Sequence, residues 1–363
     1  MNTEGPIDGA DGRQDERAAT PSGLMALLLV SPRVARSSQP WAERCNPLGI
    51  EPISHFARSL AIRCCVLALS FSTFAGAKPE RTVVVYASQD QVYAEPILQE
   101  FSKQTGIKVR AVYDSEAVKT VGLANRLLAE RSHPQADVFW NNEELRTRQL
   151  AAQNVLRETN AWAAFGYRSR RIVIDTNRLS LASAPRSLVE LTNQTWRGKV
   201  ALAYPLFGTT ATHFLALRQQ WGDEKWQAWC RALQANRPLL VDGNSVAVKQ
   251  VARGEAWLGL TDSDDIAAEQ QEGSPLAALP LSVHTLLIPN TVAVLRGAPH
   301  PEAAQRLFEY LQRREVVARL IKANALEGFS AADVKTPMLH PDWPALLRDL
   351  DAATRTLEKI FLR

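Results

Sequence analysis

The chain has 363 residues, of which 46% are hydrophobic and 22% charged, a composition that excludes a disordered, collagenous or disulfide-framework protein. At roughly 100–200 residues per domain this length predicts about two domains. The formal charge of +4 is small, and Lys and Arg are dispersed along the chain, which excludes a nucleic-acid footprint.

Residues 1–57 mix Gly, Pro, Asp and Arg without helix or strand periodicity, and are expected to be disordered or to lie upstream of the true start. Arg58 and Arg63 then precede the apolar run Cys64–Phe71, which ends in Ala75-Gly76-Ala77 before Lys78 and Pro79. Residues 58–77 therefore have the order of a secretory signal peptide, and the run is too short for a span of about 20 residues. Cleavage there leaves Cys230 as the one cysteine, a small core residue, so no intramolecular disulfide is possible in the mature chain.

The mature part opens on Thr82-Val83-Val84-Val85-Tyr86, a continuous apolar run suited to a buried parallel strand, delivering the polar Ser88-Gln89-Asp90. Ala94, Ile97, Leu98 and Phe101 follow on one helical face stopped by Gly106, and residues 107–113 alternate as a strand ending in Asp114-Ser115-Glu116. The unit repeats: Val118, Val121, Leu127 and Leu128 at helical spacing, then the strand Ala136–Trp140 ending in Asn141-Asn142-Glu143-Glu144. Strands alternating with helices predict an α/β fold with ligands outside the carboxyl ends of the strands.

Arg171–Asp175 is a further strand and Trp196–Ala203 opens a second α/β set, which places a hinge near residues 170–175. The apolar run Leu286–Leu295 is the expected return crossing, and amphipathic helices at about 301–323 and 343–361 are expected to finish the first lobe. The expected boundaries are 78–172 with 292–363 for lobe I, and 173–291 for lobe II.

Enzyme motifs are absent: there is no nucleophile elbow, P-loop, dinucleotide fingerprint, His-Glu-x-x-His or paired-cysteine zinc spacing. His213 lies in a helical pattern as a packing or solvent residue. Three polar segments stand out. Phe207-Gly208-Thr209-Thr210-Ala211-Thr212 precedes a helical run and fits either an anion site at a helix N-terminus or simple N-capping. Asp242-Gly243-Asn244-Ser245 is a second strand-to-helix turn. In Thr261-Asp262-Ser263-Asp264-Asp265, three carboxylates crowd within four residues, which calls for a cation among them or full solvation.

Val84-Val85-Tyr86-Ala87-Ser88, Phe101–Val109, Gln135–Trp140, Trp196-Arg197-Gly198-Lys199-Val200, Asn244-Ser245-Val246 and Asn290-Thr291, in this order, resemble the periplasmic ferric-iron-binding proteins and their relatives among ABC importer binding proteins over residues 82–330. The resemblance implies the two-lobed type II periplasmic-binding-protein fold, each lobe a mostly parallel sheet flanked by helices, closing over a ligand. It further implies a non-enzymatic, monomeric periplasmic protein whose partner is an inner-membrane permease. No resident cofactor is implied; the transported ligand is Fe(III) or another hard metal ion, with phosphate or carbonate as co-bound anion.

In such relatives a His, a Glu and two adjacent Tyr hold the iron. Placed on this sequence, the His position falls on Asp90, the Glu position on Asn142 beside Glu143, and the Tyr pair on Asp264-Asp265. The anion turn falls on Gly208, Thr209 and Thr210, with Asn244, Ser245 and Asp262 completing the pocket and Ser88 and Gln89 lining the opposite loop. Both Tyr are thus replaced by carboxylates, an all-oxygen set that also suits an organic ion with an ammonium group, such as an aminophosphonate, or a sugar phosphate or polyamine. Trp140 is placed either over such a ligand or in the core. A secreted hydrolase using Asp264 and Asp265 as acid and base is the remaining reading, without a nucleophile to complete it.

Overall fold

The computed structural model describes residues 81–113 and 119–362. The expected signal segment, everything before it and the Asp114-Ser115-Glu116 loop lie outside the described residues.

Strand β1 (Thr82–Ala87) is buried along almost its whole length, as its unbroken apolar run requires. It pairs in parallel with β2 (Lys108–Tyr113) on one side and with β3 (Val138–Asn141) on the other. Helix α1 (Gln91–Thr105) connects β1 to β2, burying Ala94, Ile97, Leu98 and Phe101. Its end is set by Gly106, whose φ of 67° is the left-handed cap and whose N–H returns to the Ser102 carbonyl. Helices α2 (Lys119–Ala129) and α3 (Glu144–Ala152) flank β3.

The next strand, β4 (Trp162–Asp175), is 14 residues long, far longer than the expected Arg171–Asp175 segment. Residues 162–169 pair antiparallel with β9 (Leu287–Val294), which also pairs antiparallel with β3. From Arg170 onward β4 pairs instead with β7 (Leu258–Asp262), while β8 (Leu276–Ala278) takes the edge opposite Val173–Asp175. The change of partner between Ser169 and Arg170 divides the sheet into two lobes. Beyond it, β5 (Val200–Ala203) pairs in parallel with β7 and with β6 (Leu239–Val241). The resulting order is β2-β1-β3-β9-β4-β7-β5-β6, parallel within each lobe except along the connecting strands β4, β8 and β9.

Helices α4 (Gly208–Trp221), α5 (Asp223–Ala235), α6 (Asn244–Ala252) and α7 (Ser263–Gln271) belong to the second lobe. The expected 301–323 helix is two helices, α8 (Pro301–Leu311) and α9 (Arg314–Lys322), and α8 and α9 bury Leu307, Val316 and Leu320 in the first-lobe core with Phe101 and Trp140. The apolar stripe of the last helix, α10 (Trp343–Phe361), with Leu346, Leu350, Ala353, Leu357 and Phe361, joins Phe214, Trp226 and Trp229 in the second-lobe core, while Trp343 at its start meets Arg148 of α3. Strand β9 enters the first-lobe sheet from Leu287, ahead of the expected residue 292. Cys230 is in that second-lobe core, and burial pushes its thiol pKa up. Among the described residues no helix is long and apolar enough to cross a membrane.

Candidate functional site

The polar segments singled out in the sequence all emerge at strand carboxyl ends, where the α/β topology leaves space between the lobes. Ser88, Gln89 and Asp90 follow β1; Asn141 ends β3, with Asn142 and Glu143 after it; Asp262 ends β7 and Asp264 and Asp265 stand in the first turn of α7. Gly208, Thr209 and Thr210 open α4, and Asn244 and Ser245 open α6. Gly208 has a φ of 53°, and an added Cβ would meet nothing within 4 Å, so backbone conformation and not space requires glycine there.

The centre of the site is an ion-pair lattice that the sequence reading did not anticipate. Arg168 and Arg170, two residues apart on β4, point to the same face. Arg168 is 3% exposed; one terminal nitrogen donates to Asp264 Oδ1 and Oδ2 at 2.8 and 2.7 Å and lies 3.2 Å from Asp262 Oδ2. Its other terminal nitrogen donates to the Asn142 carbonyl at 3.1 Å. Arg170 donates to Asp262 Oδ1 at 2.7 Å and to Asn244 Oδ1 at 2.8 Å. Asp262 Oδ2 accepts in turn from Thr209 Oγ1 at 2.8 Å and from Asn244 Nδ2 at 3.2 Å, and Thr210 Oγ1 donates to Asn244 Oδ1 at 3.0 Å. Asp265 completes the acidic group, accepting from Thr261 Oγ1 at 3.3 Å.

Asp262, Asp264 and Asp265 each offer an oxygen within 4.8 Å of the others. Three carboxylates thus face two guanidiniums, and the titration of the group is split accordingly. Burial works against ionisation of Asp262, yet Arg168 and Arg170 hold its carboxyl below the ordinary range. Asp264 is pushed up to about 6 by burial, helped by Asp262 and Asp90, with Arg168 opposing. Arg168 itself is held protonated well above its usual range: burial opposes this, but Asp264 and Asp262 outweigh it.

The remaining expected residues divide into two kinds. Asp90 occupies the N-cap position of α1 with no side-chain cap hydrogen bond. Tyr93, one turn into α1, was missed by the sequence reading; its phenol pKa is raised by burial and by the nearby charges of Asp264, Asp90 and Asp265. Asn142, 2% exposed, accepts from Ser88 Oγ at 3.2 Å and is tied to Arg168 through its carbonyl. Ser245 is partly exposed on the first turn of α6.

Glu143, Ser88, Gln89 and Trp140 are built into the scaffold. Glu143 is the N-cap of α3: its oxygens accept from the Leu145 and Arg146 amides at 2.7 and 3.0 Å, and Oε1 also accepts from Thr212 Oγ1 at 2.9 Å. With both oxygens so engaged in a residue 1% exposed, Glu143 is a helix cap. Ser88 Oγ donates to Asn141 at 2.7 Å and accepts from the Asn142 amide, and Gln89 accepts from Asn290 Nδ2 at 2.7 Å, so both tie neighbouring loops together. Trp140 is fully buried in the first-lobe core. Thr209 and Thr210 do not cap α4; Phe207 stands at that position and the hydroxyls turn to Asp262 and Asn244. His213 donates through Nε2 to the His284 carbonyl at 2.7 Å, and burial, helped by Arg170, lowers it to about 3, so its imidazole is neutral.

Residues 82–323 match the profile of the bacterial extracellular solute-binding protein family. The chain is 24% identical over 285 residues to the major ferric iron-binding protein of Neisseria meningitidis serogroup A, covering 71% of this chain and 84% of that one. Among solved structures it superposes on iron-bound HitA from Pseudomonas aeruginosa with a TM-score of 0.67 at 20% identity, over 77% of this chain and 99% of the other. It superposes on the periplasmic binding protein AfuA from Actinobacillus pleuropneumoniae, solved with fructose-6-phosphate bound, with a TM-score of 0.66 at 18% identity, over 78% and 99% of the two chains. These superpositions establish the two-lobed type II periplasmic-binding-protein fold.

Proposed function

The chain belongs to the bacterial extracellular solute-binding proteins, and on that footing we propose that it captures ferric iron, or another hard cation, with a co-bound oxyanion in the periplasm and delivers it as a monomer to an ABC importer permease. No chemistry on the ligand is involved. The observation that carries this reading is the convergence of Asp262, Asp264 and Asp265, with oxygens within 4.8 Å of one another. Hard cations take all-oxygen shells, and carboxylates at this density gain most from one.

Asp264, Asp265 and Asp90 are the proposed cation side, with the Tyr93 phenol beside them. The first turns of α4 and α6, with Gly208, Thr209, Thr210, Asn244 and Ser245, are the anion side, where free helix N–H groups meet Arg170. Asp262 ties the two sides together. A trivalent cation against a cluster of three carboxylates and two guanidiniums leaves positive charge over, which the oxyanion offsets. The cation replaces Arg168 as the partner of Asp264.

A second reading is favoured by one contact, the grip of Arg168 on both oxygens of Asp264. A cleft whose carboxylates already have guanidinium partners suits an organic ion carrying its own charges, such as an aminophosphonate, a sugar phosphate or a polyamine. Calorimetry on stripped protein separates the two. Binding of Fe(III) supplied with citrate or phosphate supports the first reading; failure to bind it, alongside tight binding of an aminoalkylphosphonate, overturns it. Under the first reading a metal at 100 times its Kd stabilises the fold by about 2.7 kcal/mol, and Asp264→Ala with Asp265→Ala abolishes that melting shift.

A further inference from the structure

A cavity of about 290 Å³ lies in the second lobe between the start of β4's second half, the loop around residues 181–188 and the loop around 279–285. It shares Arg170 with the cleft and none of the cleft carboxylates. Leu181, Pro185, Leu188, Leu279 and Leu281 give it apolar walls, and Leu181 at the lip is 63% exposed. Its charged lining is of one sign: Arg170, Arg171 and Arg186 line it beside the neutral His213 and beside His284, whose imidazole burial holds below its ordinary range, and among the described residues no Asp or Glu does. Arg171 is offset by Glu327 at 2.8 Å, whereas Arg186 stands exposed at the rim. Arg170, buried, keeps an Nε without a hydrogen-bond partner. A buried donor left unmet is unfavourable, so a group that satisfies it is favoured.

We propose that this cavity is a second ligand site, separate from the cleft, for a small amphiphilic anion: one carboxylate or sulfonate on a compact apolar body. Apolar walls with a few convergent polar groups are what such a ligand needs, and the volume, at the low end for ligand pockets, limits it to a compact one. The anionic end meets Arg186 and the field of Arg170; the body lies against the leucines. Arg170 is offset by Asp262 and Arg171 by Glu327, so it is Arg186 at the rim, with no lining carboxylate beside it, that rejects a cation of the same shape.

The test is titration of the protein with anilinonaphthalene sulfonate, followed by fluorescence and calorimetry. One saturable site is expected, with binding weakened at least about tenfold in the Leu181→Glu/Arg186→Glu variant, whose substitutions put two negative charges on exposed positions. The variant's melting curve, expected to be unchanged, shows that loss of binding is local. Binding that does not saturate, equal binding by the variant, or equal binding of naphthylmethylamine, which carries the opposite charge, overturns the proposal.

Discussion

Arg168 holds both oxygens of Asp264 through one guanidinium nitrogen and the carbonyl of Asn142 through another. Asn142 directly follows a first-lobe strand and Asp264 stands in the first turn of a second-lobe helix, so one side chain on the shared strand β4 ties the rims of the two lobes together. The two partners are not equivalent. Arg168 also lies 3.2 Å from Asp262, so losing it leaves two buried carboxylates short of a counter-charge, whereas losing the Asp264 charge leaves Arg168 still facing Asp262. Arg168→Met is expected to cost about 3–5 kcal/mol in urea unfolding of the ligand-free protein at neutral pH, the range for a broken buried ion pair. Asp264→Asn is expected to cost far less. Equal losses in the two variants would contradict the unequal sharing of Arg168.

The same sharing sets a pH dependence. The Asp264 carboxyl is raised from 3.8 to about 6 in the fold, so its protonation stabilises the folded state. That contribution is complete below the unfolded value of 3.8 and is lost as pH rises through about 6. Asp262 moves the other way, but its window lies below its ordinary value and so below this interval. Ligand-free protein is therefore expected to lose stability relative to Asp264→Asn as pH rises from about 4 to about 7. Cation uptake is expected to rise over the same interval, because the five-residue cluster goes from neutral to one net negative charge. Parallel stability curves for the two proteins would refute the assignment.

Glu143 provides a separate test of what is scaffold and what is site. Its carboxylate satisfies two amides of α3 and the Thr212 hydroxyl across from the second lobe. Glu143→Ala is expected to lower stability by about 2 kcal/mol, the upper end for a lost cap, while leaving the calorimetric titration with Fe(III)-citrate intact. Loss of that titration with unchanged stability would return Glu143 to the ligand shell.

Much of this fold can be read from the sequence because the elements around the site obey simple patterns. The apolar runs of β1 and β3, the helical face ending at Gly106 and the Asp262–Asp265 acidic turn each state their structure locally. Strand β4 does not: its middle carries Gly166, Arg168 and Arg170, residues that argue against a buried strand. Their signal is the i, i+2 spacing of two arginines opposite an acidic turn more than 90 residues away, a relation visible once β4 and β7 are paired, with Arg170 opposite Asp262. Tyr93 was hidden for a related reason: an aromatic residue on an amphipathic helix reads as core, and the approach of α7 adds Asp264 and Asp265 to the nearby Asp90.

Helix α10 shows the other limit, since a hydrophobic stripe announces that a helix packs but not against what. Leu350 is 4% exposed within the second-lobe core, and Phe361 meets Phe214 edge-on with ring centres 6.0 Å apart. Leu350→Ala is expected to cost about 2–5 kcal/mol, the range for a buried leucine truncated to alanine. Where the loosening occurs decides the lobe to which α10 belongs. Hydrogen exchange in the variant is expected to quicken in α4 and α5, which share its core, and to stay unchanged in β1 and α1, whose core is built from Phe101, Trp140 and Tyr310. Faster exchange in β1 and α1, with α4 and α5 unaffected, would place α10 in the first lobe after all.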